Sequence, residues 1–249
     1  MTSQKMNYSI LDKFEFKYAP VGVKFCPVKP EGVEKLDKKI AWCQMLTEAQ
    51  QGKAFYAAAE NHFCEPALFL LGHEEVPPLA ASGRLGPALK IFKDSRANRR
   101  IYKMVKMLGK GTVEAVAFAP LYKISFDPDL LILTADNADQ TEKIARAAAY
   151  SAGEMFNSRM TYVMGCAWLY NYPYVTGEIN YLTTGVAYGM KMYELLPGGM
   201  QIVSIPYDRI PQILVNLREM PWILPGHTDK KEAFYVQVHK ELGLDEPYF

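Results

Sequence analysis

A chain of 249 residues, 49% hydrophobic and 22% charged, is long enough to bury a substantial core, and a formal net charge of +1 leaves no electrostatic footprint for nucleic acid. The opening MTSQKMNYSILDKFEF has no apolar stretch of signal-peptide length, and nowhere do about eighteen apolar residues run together. The expectation is a cytoplasmic protein whose partners are neither nucleic acid nor membrane.

Taken in order, strands and helices alternate without an internal repeat. YSILDKFEF reads as a short amphipathic helix and APVGVKFCPV as a strand bounded by prolines. IAWCQMLTEAQQG is helical and stops at Gly52, KAFYAAAE is a strand, and CEPALFLLG starts a helix with Pro66 near its first turn. SGRLGPALKIFKDSRANRRIYKMVKMLGKG reads as a loop and then a long helix ending in glycines. Its basic run, residues 93–111, keeps apolar residues at helical spacing and is taken as a solvated helix face. VEAVAFAPL and DLLILTA are near-continuous apolar runs of buried-strand length. NADQTEKIARAAAYSAGEMF carries an Asn or Asp cap, MQIVSIP is a strand, and YDRIPQILVNLREM is its following helix.

These readings predict strands at about 20–26, 53–59, 113–119, 130–134 and 200–205, within one sheet of five or six strands flanked by helices. The class is α/β, with mixed α+β as the variant. No polar or proline-rich linker divides the chain, so residues 1–249 are read as one domain with a helical tail over 228–249. Phe234, Tyr235, Val238 and Leu242 of that tail form one stripe that must bury against the domain or a partner, and a homodimer is expected.

Common catalytic signatures are absent. LGKGT at 108–112 lacks the upstream glycine and the hydroxyl residue of a phosphate loop. GHEEVPP at 72–78 lacks the second histidine of a zinc-protease motif, which leaves His73 as a loop residue. Cys26, Cys43, Cys64 and Cys166 match no zinc-ribbon or ferredoxin spacing, so spacing alone leaves them as apolar fillers, ligands or reactive thiols. Directly after Cys166, WLYNYPYVTGEINY sets Tyr170, Tyr172 and Tyr174 at every second position, which fits an extended chain with one aromatic face. Such a face either packs in a core or interface, or lines a pocket in which Tyr170, Tyr172, Tyr174 and Glu178 contact a planar cofactor or metabolite.

The ordered series APVGVKF, WCQMLTEAQQGKAFYAAAENHFCEPALFLLG, FAPLYKISFDPDLLILT, GCAWLYNYPYVTGEINYLTTG and GGMQIVSIPYDRIPQILVNL resembles the uncharacterised ArCR family, domain of unknown function 169, of archaea and anaerobic bacteria. The resemblance runs over about residues 9 to 220. It matches Cys43, Cys64, Asp127 with Asp129, and Cys166 to the family's pattern, while Cys26 falls outside it. Relatives richer in cysteine around TTGVAYG find Thr183, Thr184, Gly185 and Gly189 here, so a ligand supplied there would be missing. The family brings no established activity.

What the resemblance implies is a shared site at Cys43, Cys64 and Cys166. Three thiolates from separate segments suit a soft metal or an iron–sulfur cluster, with Cys26, a histidine or an outside group completing the set, while His62, two residues before Cys64, either donates a hydrogen bond to the site or bonds locally near its helix start. The expected function is therefore a cytoplasmic metal-binding protein carrying a cysteine-ligated iron–sulfur cluster in anaerobic redox or small-molecule chemistry. Its partners would be a small molecule or a redox protein. The alternatives are a cofactor- or metabolite-binding protein with an aromatic pocket, and a non-catalytic oligomeric accessory subunit.

Overall fold

A computed structural model describes residues 6–245. Six strands form one open sheet: β1 (Val21–Cys26), β2 (Phe55–Ala58), β3 (Ala115–Pro120), β4 (Leu130–Ala135), β5 (Asn180–Thr183) and β6 (Gln201–Pro206). Their spatial order is β2-β3-β1-β4-β6-β5, and every neighbouring pair is antiparallel. The fold class read from the sequence is thus observed, with helices and one sheet in a mixed arrangement.

Side chains alternate across each strand, so the register sorts the sequence into two cores. Val21, Val23, Phe25, Val116, Phe118, Leu130, Ile132 and Ile202 face one side. On the other, Leu131, Leu133, Tyr181, Val203 and Ile205 make the second core, and Cys26, Ala115 and Ala117 a small satellite. Cys26 pairs with Ala115 across β1 and β3 and is a filler on the face away from the other cysteines.

The second core is roofed by two regular helices, α6 (Ala138–Ala149) and α9 (Ile210–Glu219), through Ile144, Ala147, Ile213, Leu214 and Leu217. Asn137 caps α6 by accepting from the Gln140 amide at 2.9 Å, as the cap reading requires. A 3₁₀ segment, Ser9–Phe14, adds Ile10, Leu11 and Phe14 to the same layer.

The first core is roofed by shorter pieces: α1 (Trp42–Gln50), α2 (Glu65–Leu70), α3 (Pro78–Ser82), α4 (Leu85–Ala88) and α5 (Ser95–Met104). A π-helical turn at Ala167–Asn171 then runs into α7 (Tyr172–Thr176), and α8 (Tyr188–Met192) follows β5. α10 (Lys231–Leu242) ends the described chain.

Three expectations are corrected here, and the sixth strand that the expected five or six allowed is located. The tyrosine-rich stretch is helical, because the π turn and α7 occupy residues 167–176. A sixth strand, β5, follows it. The helix after residue 93 is shorter than expected: Asp94 caps it by accepting from Ala97 at 2.8 Å, and it ends at Met104 before the glycines. In α10 no side chain is fully buried, and of the expected stripe Phe234 and Val238 are half-buried while Tyr235 and Leu242 are exposed. Residues 246–249 of the expected helical tail lie outside the described residues.

Candidate functional site

Cys43 is the second residue of α1, a helix whose entry is fixed by the Gln44 side chain accepting from the Ala41 amide at 2.9 Å. Cys64 stands in extended backbone immediately before α2, with Pro66 inside the first turn, where its missing N–H costs nothing. Twenty-one positions separate these cysteines in sequence, and a short parallel bridge brings them together. Ile40 donates to the Asn61 carbonyl at 3.0 Å, and Phe63 donates to the Ile40 carbonyl at 2.8 Å. Asn61 locks that bridge: its amide nitrogen donates to Leu36 and Lys38 carbonyls at 2.8 and 3.1 Å, and its oxygen accepts from the Ala58 amide at 3.0 Å.

Cys166 arrives from the last third of the chain. Met164 has a left-handed backbone (φ 59°), uncommon for a non-glycine residue. At Gly165 an added Cβ would lie 2.9 Å from that of Ala187, so glycine lets the chain press against the segment that leads into α8. The π turn then begins directly after Cys166, and such turns recur at functional sites.

Cys43 lies in the first core, Cys64 and Cys166 pack against it, and the Cys43 and Cys166 thiols are close enough to perturb each other's ionisation. That contact pulls Cys43 below the ordinary thiol value against the effect of burial, with help from the amides of Cys43 and Gln44 at the helix start. Cys166 is pushed well above it, by Cys43 first, then by burial and by the charge of Cys64. Burial raises Cys64 itself, while the Trp42 and Ala67 amides act the other way. The three thiols therefore sense one another, and Cys43 is the one drawn down. Tyr193 and Tyr170 feel the same group of sulfurs.

A cavity of about 10 Å³ touches Cys43, between Leu46 and Thr47 of α1 and Thr184, Gly185 and Leu195 of the segment around α8. That is room for about one water. Among the described residues, no three His, Cys, Asp or Glu side chains are arranged to hold a metal ion as they stand.

Tyr170, Tyr172 and Tyr174 do not share a face. Tyr170 is buried in the first core and stacks on Trp42 at 4.7 Å between ring centroids. Tyr172 lies beside Trp168 and donates to the Glu178 carboxylate, while Tyr174 stacks on Phe25 at 4.0 Å. A helix turns successive residues by about 100°, so positions two apart diverge where a strand would align them. An open groove of about 600 Å³ lies elsewhere, along α6 between Thr141, Arg146, Phe156 and Gln201.

Sequence reasoning weighed His62 only beside Cys64 and passed over His73. The structure sets their rings 6.0 Å apart. The available signal was the spacing itself, one short helix between two histidines.

No curated protein and no solved structure matches this chain. A family model does: that of the uncharacterised ArCR family, domain of unknown function 169, matches residues 9–216. Carrying the three cysteines inside that matched span, the chain belongs to this family.

Proposed function

We propose that Cys43, Cys64 and Cys166 form a thiol site for a soft metal centre, an iron–sulfur cluster in the first instance. The supporting observation is that three cysteines from three distant segments converge and perturb one another, while Cys26 lies on the opposite face of the sheet. The donor chemistry fits: soft thiols with backbone amides beside two of them are what iron–sulfur ligation uses. When bound, such a centre supplies one-electron transfer or Lewis acidity.

The residues around it have separable roles. The α1 amides favour the Cys43 thiolate, and burial of Cys166 keeps its proton until a cation replaces it. The cavity beside Cys43 is too small for a cluster, so loading requires the chain around α8 to move outward. Gly185, Gly198 and Gly199 flank that segment, and Gly185 and Gly199 already sit at positive φ. This reading carries with it a reducing, oxygen-poor cytoplasm, which preserves thiolate–iron chemistry, and a homodimer that would cover the exposed tail helix.

The test is anaerobic reconstitution with iron and sulfide, followed by visible absorption and metal analysis. The expected protein is brown and holds iron with sulfide. Cys43→Ser, Cys64→Ser and Cys166→Ser each lose it, and Cys26→Ser keeps it. Reconstituted protein that stays colourless and iron-free would sink the proposal, as would retention of iron by all three serine variants.

A further inference from the structure

His62 is 1% exposed, and neither of its ring nitrogens has a hydrogen-bond partner. The Nε2 of His73 is buried and unpartnered too. So is the indole N–H of Trp42, whose ring lies 6.2 Å from that of His62 and nearly perpendicular to it. Four orphaned polar atoms thus occur in three neighbouring side chains. Buried polar groups in folded proteins are overwhelmingly paired, so a cluster of unpaired ones calls for a guest.

Loose backbone does not explain them. His62 follows the Asn61 lock and belongs to the Ile40 bridge. The His73 amide donates to the Leu68 carbonyl at 2.8 Å. Before it, Gly72 (φ 74°) approaches so closely that a Cβ would come within 2.3 Å of the Gly109 carbonyl oxygen. The backbone that carries both rings is held in place.

The chemistry of the orphans narrows the guest. A neutral imidazole offers one lone pair, and two neighbouring imidazoles suit a cation. Two imidazoles sharing one ion through bonds of about 2.0–2.1 Å have ring centroids about 5 Å apart at a tetrahedral angle, so from the 6.0 Å separation the rings need close by only about 1 Å. The indole N–H can only donate, and water bound to the ion would accept from it.

We propose that His62 and His73 bind a divalent transition-metal ion of the zinc, nickel or cobalt type, with water in the remaining positions. Imidazole ligands suit these borderline ions, whereas the neighbouring thiols suit softer ones. In the extended backbone at His62 and Cys64, alternate side chains share a side, and Phe63 between them is exposed. The nitrogen site therefore adjoins the sulfur site without depending on it.

The experiment uses tag-free, metal-free protein with Cys43, Cys64 and Cys166 all replaced by serine, titrated calorimetrically with Zn²⁺ alone. The expected result is one equivalent bound, with His73→Gln or His62→Gln weakening binding at least about tenfold. X-ray absorption on zinc-loaded wild-type chain supplies a second reading should the triple variant not fold. There the expected signal includes nitrogen or oxygen neighbours at about 2.0–2.1 Å, reduced by His73→Gln. No zinc uptake, a purely sulfur shell at about 2.3 Å, or binding unchanged by both histidine substitutions would overturn the site and leave its polar atoms to water.

Discussion

The two faces of the sheet are built to different standards. One is roofed by α6 and α9, regular helices of 12 and 10 residues whose apolar stripes meet Leu131, Leu133, Val203 and Ile205. The other is roofed by helices mostly shorter than two turns, a π turn and the left-handed Met164, and it holds Cys43, Cys64 and Cys166. Unpartnered buried polar atoms concentrate there: Trp42, His62, His73, Tyr170 and Asn171 belong to that layer, whereas Tyr181 belongs to the regular one. Local consistency is what stabilises a fold, and departures from it gather where a molecule binds or reacts. Under the proposed function the cysteine face is the working face and the other its support.

The largest effects should sharpen that contrast. On the supporting face, Leu133→Ala empties a fully packed position and should cost about 2–5 kcal/mol in denaturant unfolding. On the working face, Trp42→Phe removes an unpartnered N–H with part of the ring and should cost less than about 1.5 kcal/mol. Equal losses would show that the indole is already satisfied and that the two faces do not differ.

Asn61 is the exception on the working face, because its side chain makes three hydrogen bonds to backbone. Asn61→Ala strands those groups in a buried place and should cost about 3 kcal/mol. It should also uncouple Cys43 from Cys64, read as faster alkylation of both thiols. Unchanged alkylation would mean that something other than the Asn61-locked bridge holds the cysteines together.

The smallest effect concerns the buried phenols. Tyr181→Phe removes an unpartnered hydroxyl and should change stability at neutral pH by no more than about 0.5 kcal/mol. Burial pushes the Tyr181 and Tyr170 hydroxyls well above the ordinary tyrosine value. A folded value above the unfolded one, about 10, means that their contribution is fully present below that pH and lost as pH rises further. Unfolding midpoints should therefore fall more steeply above about pH 10 in the wild type than in Tyr181→Phe. Parallel curves would show that the Tyr181 phenol ionises equally in both states.

Much of this was legible locally. Apolar runs bounded by prolines or glycines announced β1 to β4 and β6, and Asn137 and Pro66 announced helix starts, because those signals act within one turn or strand. β5 was not legible, since four residues, Asn180–Thr183, carry too few side chains to set a period. The π turn defeated the pattern outright: tyrosines at 170, 172 and 174 alternate as a strand would, and only packing of Tyr170 on Trp42 fixes them as helix.

The candidate site divides in the same way. From its sequence the chain determined its elements, its family, and the placing of Cys43 and Cys64 at the starts of two helices, all consequences of residues close together or of an ordered series of motifs. Tertiary structure alone decided that every strand pairing is antiparallel, that the Ile40–His62 bridge joins those two helix starts, and that Cys166 reaches Cys43 across 123 positions. It also decided that the His62 and His73 rings lie 6.0 Å apart, with both His62 nitrogens and the His73 Nε2 buried and unpartnered. Pairings of this kind are selected by burial of the whole sheet against its two layers, and no short window of sequence contains that competition.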